Sequence, residues 1–177
     1  AYSIIGQPPS FDGGGLYFFA YHVTGGCQRS KFDSMDGHPH RNALLLDGDN
    51  YKILYTGAFS GAGVLDSARQ TGSVFRDYIA LLRNHGMTLA DNCWRTWIYV
   101  RDIDNHYAGM VNTRTDLFEA AGLTDRTRYI ASTGIEAKSL EFSSLVTMDA
   151  LAVGGMKPEQ AERMEAPAHM CPTHQYG

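Results

Sequence analysis

Residues 94–100 read Trp-Arg-Thr-Trp-Ile-Tyr-Val and form the strongest strand candidate in this sequence. Aromatic and β-branched side chains dominate the run, and such side chains suit a pleated, half-buried surface. We therefore predict a central β-strand here. The elements on either side of it decide which fold it belongs to.

Amphipathic helices are predicted on both sides of this strand. Residues 67–85 carry apolar side chains at spacings of three and four, and residues 107–121 form a second helix. The residues expected to face the core are Val74, Phe75, Tyr78, Ile79 and Leu82 in the first helix and Val111, Leu117, Phe118 and Ala121 in the second. Gly86 and Gly122 follow the two helices as predicted stops.

Shorter runs complete the predicted sheet. The further strand candidates are residues 16–23, 44–46, 51–55, 128–132 and 145–153. Between the second and third of these lies Asp47-Gly48-Asp49-Asn50, whose Asp-Gly step favours a hairpin. The order of strands and helices predicts an α+β fold, with a mixed sheet and both helices on one face.

The composition indicates one mildly acidic globular domain. The 177 residues are 44% hydrophobic and 19% charged, and 15 Lys and Arg against 19 Asp and Glu give a net charge of −4. Without a basic block to neutralise phosphates, nucleic-acid binding is disfavoured. No window approaches the roughly 18 apolar residues of a membrane span, and residues 1–9 do not resemble a signal peptide. We expect a cytoplasmic protein with no membrane partner.

The sequence motifs predict neither a metal site nor a nucleotide cofactor. Cys27, Cys93 and Cys171 are widely spaced, which favours reduced thiols, with Cys93 as a core residue. The pair His38 and His40 and the group in residues 169–174 lack an established zinc-site spacing. Because no GxGxxG or phosphate-binding loop is present, we expect no nucleotide cofactor.

Several short pieces between residues 41 and 153 share their order and spacing with a known family. They are Leu54-Tyr55-Thr56-Gly57, residues 81–91, residues 97–103, Val111-Asn112, Thr124-Asp125-Arg126-Thr127 and residues 145–153. In this order they resemble the Rid family, the reactive intermediate deaminases also called YjgF-like or L-PSP proteins. The resemblance implies a chorismate-mutase-like α+β sandwich that assembles as a trimer, with ligand clefts between subunits.

The same resemblance suggests site residues. Rid deaminases hydrolyse enamines and imines, using an arginine that binds the substrate carboxylate and a glutamate that helps to activate water. Arg126 matches the arginine, whose planar fork suits a carboxylate. The other residues then expected to bind ligand are Asn112, Thr56, Gly57 and Thr147. Without the resemblance, Arg126 reads as a surface ion pair, Asn112 as a loop or cap residue and Thr56 as an ordinary strand residue.

The last predicted strand departs from the family. It places Thr147 where the water-activating glutamate is expected, and threonine is not a carboxylate base. Asp149 lies about 6.6 Å further along the same face, whereas direct proton transfer needs roughly 3 Å. Glu136 and Glu141, in the loop before the strand, are the other acid/base candidates, although exposed loop glutamates are usually only solvated charges.

Three domain segments and three functions are predicted. Residues 1–42 form an extension with the strand 16–23 and a loop over 24–41, residues 43–153 the Rid-like domain, and residues 154–177 a linker-like tail. The tail favours a tandem arrangement, so the expected partners are copies in a homotrimer or a second Rid-like domain. The first function is hydrolysis of small carboxylate-bearing enamines or imines. The alternative is a non-catalytic carboxylate-binding or assembly module, and an endoribonuclease ranks last.

Overall fold

The computed structural model describes residues 1–7, 15, 18–33, 35–37, 40–61, 63, 65–124 and 126–162. The strands are β1 (Ile5–Gly6), β2 (Gln28–Phe32), β3 (Asn42–Asp47), β4 (Lys52–Ser60), β5 (Cys93–Val100), β6 (Ala131–Glu136), β7 (Lys138–Ser139) and β8 (Val146–Gly154). The α-helices are α1 (Ser67–Asn84), α2 (Leu89–Asn92) and α3 (Ile103–Ala120), with 3-10 helices at Met35–Gly37 and Pro158–Gln160. Six strands form one mixed sheet in the order β2-β3-β4-β8-β5-β6, and β1 pairs with β7 separately.

Antiparallel pairing builds the middle of the six-stranded sheet. β3 and β4 form the predicted hairpin, which is closed by a 2.9 Å hydrogen bond from the Gly48 N–H to the Tyr51 carbonyl. β8 lies between β4 and β5 and is antiparallel to both, whereas β6 is parallel to β5. The strand predicted from residues 94–100 therefore lies inside the sheet.

The two long helices cover one face of the sheet. α1 contacts β4 and β8, α3 contacts β5 and β6, and the helices pack on each other. A Cβ at Gly109 would lie 2.3 Å from the Ser67 Oγ, so only glycine permits this close approach of α3 to α1. Phe75 and Phe118 meet edge to face, with ring centroids 5.7 Å apart. The mixed α+β fold with both helices on one face is confirmed.

Alternation along β5 distinguishes the two faces of the sheet. Thr96, Ile98 and Val100 are fully buried, whereas Arg95, Trp97 and Tyr99 are half-buried. A strand directs successive side chains to opposite faces. The second set therefore lies on the face away from the helices, which we call the open face. It is relevant to the site because β8 presents Asp149 opposite Trp97 in the ladder.

The predicted strand over residues 16–23 is wrong in its described part. Residues 18–23 have no regular secondary structure, and Phe18 and Phe19 are 86% and 80% exposed. The outer strand is instead β2, inside the stretch 24–41 that was expected to be a loop. Strand propensity reflects fit to a neighbouring strand rather than a backbone preference, and β2 already occupies the edge beside β3.

Two element boundaries also differ from the prediction. α3 begins at Ile103 rather than at residue 107, directly after Asp102, which has a left-handed φ of 51°. Its fully buried residues are Met110, Arg114 and Phe118, while Val111, Leu117 and Ala121 pack on the core only partly buried. β6 spans Ala131–Glu136 instead of 128–132. Arg128 lies outside the strand, where its guanidinium donates hydrogen bonds to the Asp91 and Cys93 carbonyls and lies 4.6 Å from the Trp94 ring.

Cys93 is buried in the core, as predicted, and burial raises the pKa of its thiol to about 11.

Some of the predictions fall on residues outside those that the structure describes. These residues are His38, the group in residues 169–174 and the tail beyond residue 162. No helix in the described part of the chain is long and apolar enough to cross a membrane.

The start of β8 is fixed by a side chain of α1. The buried Gln70 Oε1 accepts hydrogen bonds from the Leu145 and Val146 N–H groups at 2.7 and 3.2 Å. Gln70→Leu leaves both buried donors without this acceptor, so we expect urea unfolding to show a loss of about 2–4 kcal/mol in the free energy of unfolding. The exposed Arg76→Ala on the same helix should change it by less than about 0.5 kcal/mol. Equal stability of the two variants would contradict this role of Gln70.

Candidate functional site

A cavity opens where β4 leaves its regular ladder. Its walls come from segments that are far apart in the sequence. They include residues 2–5, His40, Ala58 and Ser60 of β4, Glu141, and Thr147 of β8. Two of the predicted site residues, Glu141 and Thr147, are thus brought to the same cavity.

A bulge in β4 forms the floor of this site. The β4–β8 register shifts between Thr56 and Phe59, and Ala58 within the bulge has a left-handed φ of 55°. Few residues other than glycine adopt this conformation, and such strained positions often mark functional sites. Gly57 is also required on steric grounds, since a Cβ there would lie 2.6 Å from the Tyr2 carbonyl oxygen.

The Asp149 carboxylate binds the bulge from the neighbouring strand. Its Oδ1 accepts the Ala58 N–H at 2.9 Å and also the Ser3 hydroxyl, and its Oδ2 accepts the Tyr99 hydroxyl at 3.3 Å. Ser3 in turn accepts the Ala58 N–H at 2.9 Å. Ser3 and Ala58 line the cavity, so Asp149 lies directly behind its wall.

Burial raises the pKa of Asp149, against the opposing effect of hydrogen bonds from Ser3, Ala58 and Tyr99. The pKa of Tyr99 is also raised, first by burial and then by the Asp149 charge. Desolvation disfavours the charged form of both groups. Asp149 is therefore a carboxyl whose proton affinity is increased by its surroundings.

Thr147 is buried, and its hydroxyl makes a hydrogen bond within the chain. The Thr147 Oγ1 lies 3.1 Å from the Ser144 Oγ, and the Ser144 hydroxyl donates to the Val146 carbonyl at 2.7 Å. Because a hydroxyl has one proton, Thr147 must be the donor to Ser144. Its side chain therefore contributes structure to the cavity wall.

The two loop glutamates lie in different surroundings. Glu141 is half-buried beside the cavity, where its Oε1 accepts the Ser143 hydroxyl at 2.8 Å. Glu136 is exposed at the end of β6, and its backbone carbonyl accepts the Gln7 side-chain amide at 3.0 Å. Of the two, only Glu141 lines the cavity in the described structure.

The remaining predicted residues do not line the cavity. Thr56 is buried and donates its hydroxyl to the Ala150 carbonyl at 3.3 Å, and Asn112 is exposed on α3. Arg126 is exposed in the turn between α3 and β6. In the ladder, Thr147 pairs with Tyr99 and Ala131 pairs with Arg95. These two partners lie four residues apart on β5.

Strand geometry therefore separates Arg126 from the cavity within one chain. Four residues along β5 correspond to roughly 13 Å between the levels of Ala131 and Thr147, and Arg126 lies five residues before Ala131. Among the described residues, Arg126 does not line the cavity that Thr147 lines.

Sequence reasoning did not identify Ser3 or Tyr99 as site residues. Ser3 had no local signal, because its contact with Asp149 spans 146 residues. Asp149 did have one, since it is the only charged residue in the otherwise uncharged run 145–153. A single carboxylate on such a strand needs hydrogen-bond donors when it is buried.

Comparison with known proteins identifies the fold. No family model and no curated protein matches the chain by sequence. Among solved structures it is similar to NMB1025, a member of the YjgF protein family from Neisseria meningitidis, with 19% identity, a TM-score of 0.54, and coverage of 71% of this chain and 94% of that one. The YjgF gene product from E. coli matches with 18% identity, a TM-score of 0.52, and coverage of 62% and 85% respectively.

A third structure, E. coli TdcF with bound serine, matches with 13% identity and a TM-score of 0.51, covering 62% of this chain and 84% of that one. The chain therefore has the fold of the YjgF/Rid proteins, which is chorismate-mutase-like. This confirms the fold implied by the sequence resemblance. At these identities the likeness establishes the fold, and activity has to be argued from the chain's own residues.

The hydrogen bond between Tyr99 and Asp149 predicts reciprocal pKa changes. Tyr99→Phe removes a donor to the carboxylate, so the pKa of Asp149 should rise further above the ordinary 3.8. Asp149→Asn removes the nearby negative charge, so the pKa of Tyr99 should fall. Carbon-13 NMR titration of the Asp149 carboxyl and the Tyr99 ring measures both. An Asp149 pKa below 3.8 in the unsubstituted chain would contradict the burial that we describe.

Proposed function

We propose that this protein is a Rid-like hydrolase of small carboxylate-bearing enamines or imines, with Asp149 as its proton-handling group. The observation that carries the proposal is the half-buried Asp149 carboxyl, which lies behind the cavity wall, accepts the Ala58 N–H and has a raised pKa. A raised pKa brings a carboxyl closer to the range in which it exchanges protons at neutral pH. Asp149 thereby replaces the carboxylate that Thr147 lacks.

The Ser3 hydroxyl marks where an attacking water would lie. Its oxygen accepts the Ala58 N–H and donates to the Asp149 Oδ1, which is the hydrogen-bond pattern of a water beside a general base. In the proposed reaction, a proton from solvent adds to the enamine carbon and gives the iminium ion. Water then adds to the iminium carbon while the Asp149 carboxylate accepts one of its protons. Asp149 returns this proton to the amino nitrogen of the carbinolamine, the C–N bond breaks to release ammonia, and the hydroxyl proton passes to solvent to leave the 2-oxo acid.

The substrate carboxylate is assigned to Arg126 of a neighbouring chain. Arg126 is exposed, and a guanidinium can bind a carboxylate through two parallel hydrogen bonds. One protein of the same fold, TdcF, is described with bound serine, which carries such a carboxylate. Asn112 and Glu141 remain proposed contacts of the ligand in the assembled cleft.

The open face provides a surface for that assembly. Trp97, Tyr55 and Leu151 are half-buried there, and the Arg95 guanidinium lies 5.2 Å from the Trp97 ring. Apolar sheet faces are normally covered by another layer. We therefore propose that a homotrimer, or association with a second Rid-like domain, covers this face and completes the cleft.

Hydrolysis of 2-aminoacrylate, generated in situ, tests the reaction. The unsubstituted chain should accelerate release of pyruvate and ammonia over buffer, and Asp149→Asn should lower kcat by at least about a hundredfold because it removes the base. Thr147→Val is the matched control on the same strand and should retain kcat within about threefold, since its hydroxyl donates only to Ser144.

Arg126 has its own kinetic prediction. Arg126→Ala should raise KM for 2-aminoacrylate by roughly tenfold or more, because a charge-assisted hydrogen bond to the carboxylate is lost. No acceleration by the unsubstituted chain would refute the reaction for this substrate. Full activity of Asp149→Asn would refute the role of Asp149 but not the reaction itself.

Sedimentation tests the proposed assembly. The unsubstituted chain should sediment as a trimer of 19.5 kDa chains at micromolar concentration. Leu151→Arg introduces a charge on the open face and should shift the population to monomers. Leu65→Arg, at a site that is 67% exposed, should leave the trimer intact. A monomeric unsubstituted chain would contradict the cleft between chains.

A non-catalytic carboxylate-binding module is the second candidate. It is favoured by the commitment of the Thr147 hydroxyl to Ser144 and by the coverage of Asp149 by Ser3. Calorimetry with 2-oxobutyrate separates the candidates when it is combined with the hydrolysis assay. Binding that Arg126→Ala abolishes, without any acceleration of hydrolysis, would favour the module.

A further inference from the structure

Residues 2–7 lie across the site. They contact Asn42, the β4 bulge with Asp149, and β7, and we call the surface formed by these three parts the groove. Five of its six positions, all except Ile4, are held by a hydrogen bond or a strand pair. Such a pattern is typical of an extended peptide bound to a protein surface.

Asn42 binds the backbone at one end of the groove. Its Oδ1 accepts the Tyr2 N–H at 2.8 Å and its Nδ2 donates to the Tyr2 carbonyl at 2.8 Å. The buried Asn42 Nδ2 also donates to the His40 carbonyl, which fixes the orientation of the amide. One side chain thus satisfies both backbone polar groups of a single residue, regardless of that residue's side chain.

The middle of the groove selects a hydroxyl. The Ser3 side chain donates to the Asp149 carboxylate and accepts the Ala58 N–H, so both hydrogen-bonding capacities of the hydroxyl are matched. An alanine or valine at this position would remove the hydroxyl that bonds to the Asp149 carboxylate and to the Ala58 N–H. Hydrogen bonds that involve a charged group contribute more than neutral ones.

The far end of the groove adds a strand. Ile5 and Gly6 pair antiparallel with Ser139 and Lys138, and the Gln7 side-chain amide donates to the Glu136 carbonyl at 3.0 Å. Strand addition of this kind recognises backbone rather than sequence. The groove therefore combines two backbone contacts with one hydroxyl-specific contact between them.

Few apolar contacts hold the segment in place. Of its apolar side chains, Tyr2 and Ile4 are 57% and 53% exposed, and Ile5 is half-buried. Local regions with little apolar burial and exposed hydrogen bonds open at a small fraction of the global unfolding free energy. Opening the segment uncovers Ala58 and Asp149.

We propose that this groove is a binding site for an extended peptide, filled in cis by residues 2–7, and that it requires a hydroxyl side chain at the position of Ser3. The occupant is a segment of the Tyr-Ser-Ile-Ile-Gly-Gln type. The cis segment and a peptide in trans compete for the same groove. The inference concerns peptide binding and does not depend on the proposed reaction.

Peptide binding to the full chain tests the inference. The probe is the fluorescently labelled, end-blocked hexapeptide Tyr-Ser-Ile-Ile-Gly-Gln, and anisotropy reports its affinity. In the unsubstituted chain the cis segment competes at an effective concentration in the millimolar range. Ser3→Val weakens the cis competitor, so the hexapeptide should bind this variant at least about tenfold more tightly than the unsubstituted chain.

Two controls make the result specific. A second hexapeptide, with valine in place of its serine, should bind Ser3→Val at least about tenfold more weakly than the serine peptide. Ser73→Val, on α1 and outside the groove, should bind the serine peptide no better than the unsubstituted chain does. If Ser3→Val lowers the melting temperature markedly, Ser3→Ala removes the same hydroxyl without adding bulk. Equal binding of the two peptides, or no binding of the serine peptide to either Ser3 variant, would overturn the proposal.

Discussion

The hydrogen bond from the Ala58 N–H to the Asp149 carboxylate is the constraint on which the site depends. A bulge removes this N–H from the β4–β8 ladder, and a buried N–H without an acceptor costs about 1–3 kcal/mol. Asp149 supplies an acceptor from the adjacent strand, and the Ser3 hydroxyl accepts the same N–H. At the same bulge Ala58 has a left-handed backbone, the Tyr2 carbonyl lies against Gly57, and burial raises the pKa of the Asp149 carboxyl. One interaction thus links backbone geometry, packing and proton affinity.

The order of the main elements was readable from periodicity in the helices and from composition in the central strand. Residues 67–85 repeat apolar side chains at spacings of three and four, residues 94–100 are rich in aromatic and β-branched side chains, and both elements formed as predicted. The aromatic run 16–23 has strand propensity, but its described residues 18–23 form no strand. The strand at the edge of the sheet is Gln28–Phe32, whose sequence QRSKF is polar. Edge strands carry weak apolar patterns. Pairing position, which propensity does not encode, decided between them.

The candidate site was predictable only in part, for geometric reasons. The family resemblance predicts that the last strand contributes to the site. In the structure, Asp149 of this strand binds the bulge, whereas Thr147 bonds to Ser144. The left-handed backbone of Ala58 has no sequence signal, because glycine usually marks such positions and here stands one residue earlier. The Ser3 contact joins residues 146 positions apart. Arg126 is exposed in the turn before β6 and does not line the cavity, and a contact between chains leaves no signal in the sequence of one chain.

We propose that Asp149, uncovered by displacement of Ser3, faces a ligand whose carboxylate is bound by Arg126 of a second chain. A crystal structure of the full chain with 2-oxobutyrate, the product of the analogous imine, tests this proposal directly. We expect the ligand carboxylate at hydrogen-bond distance from Arg126 of one chain, and the 2-oxo oxygen or an adjacent water at the former position of the Ser3 hydroxyl on Asp149 of the other. A bound ligand with Ser3 still on Asp149, or with Arg126 remote from its carboxylate, would contradict it.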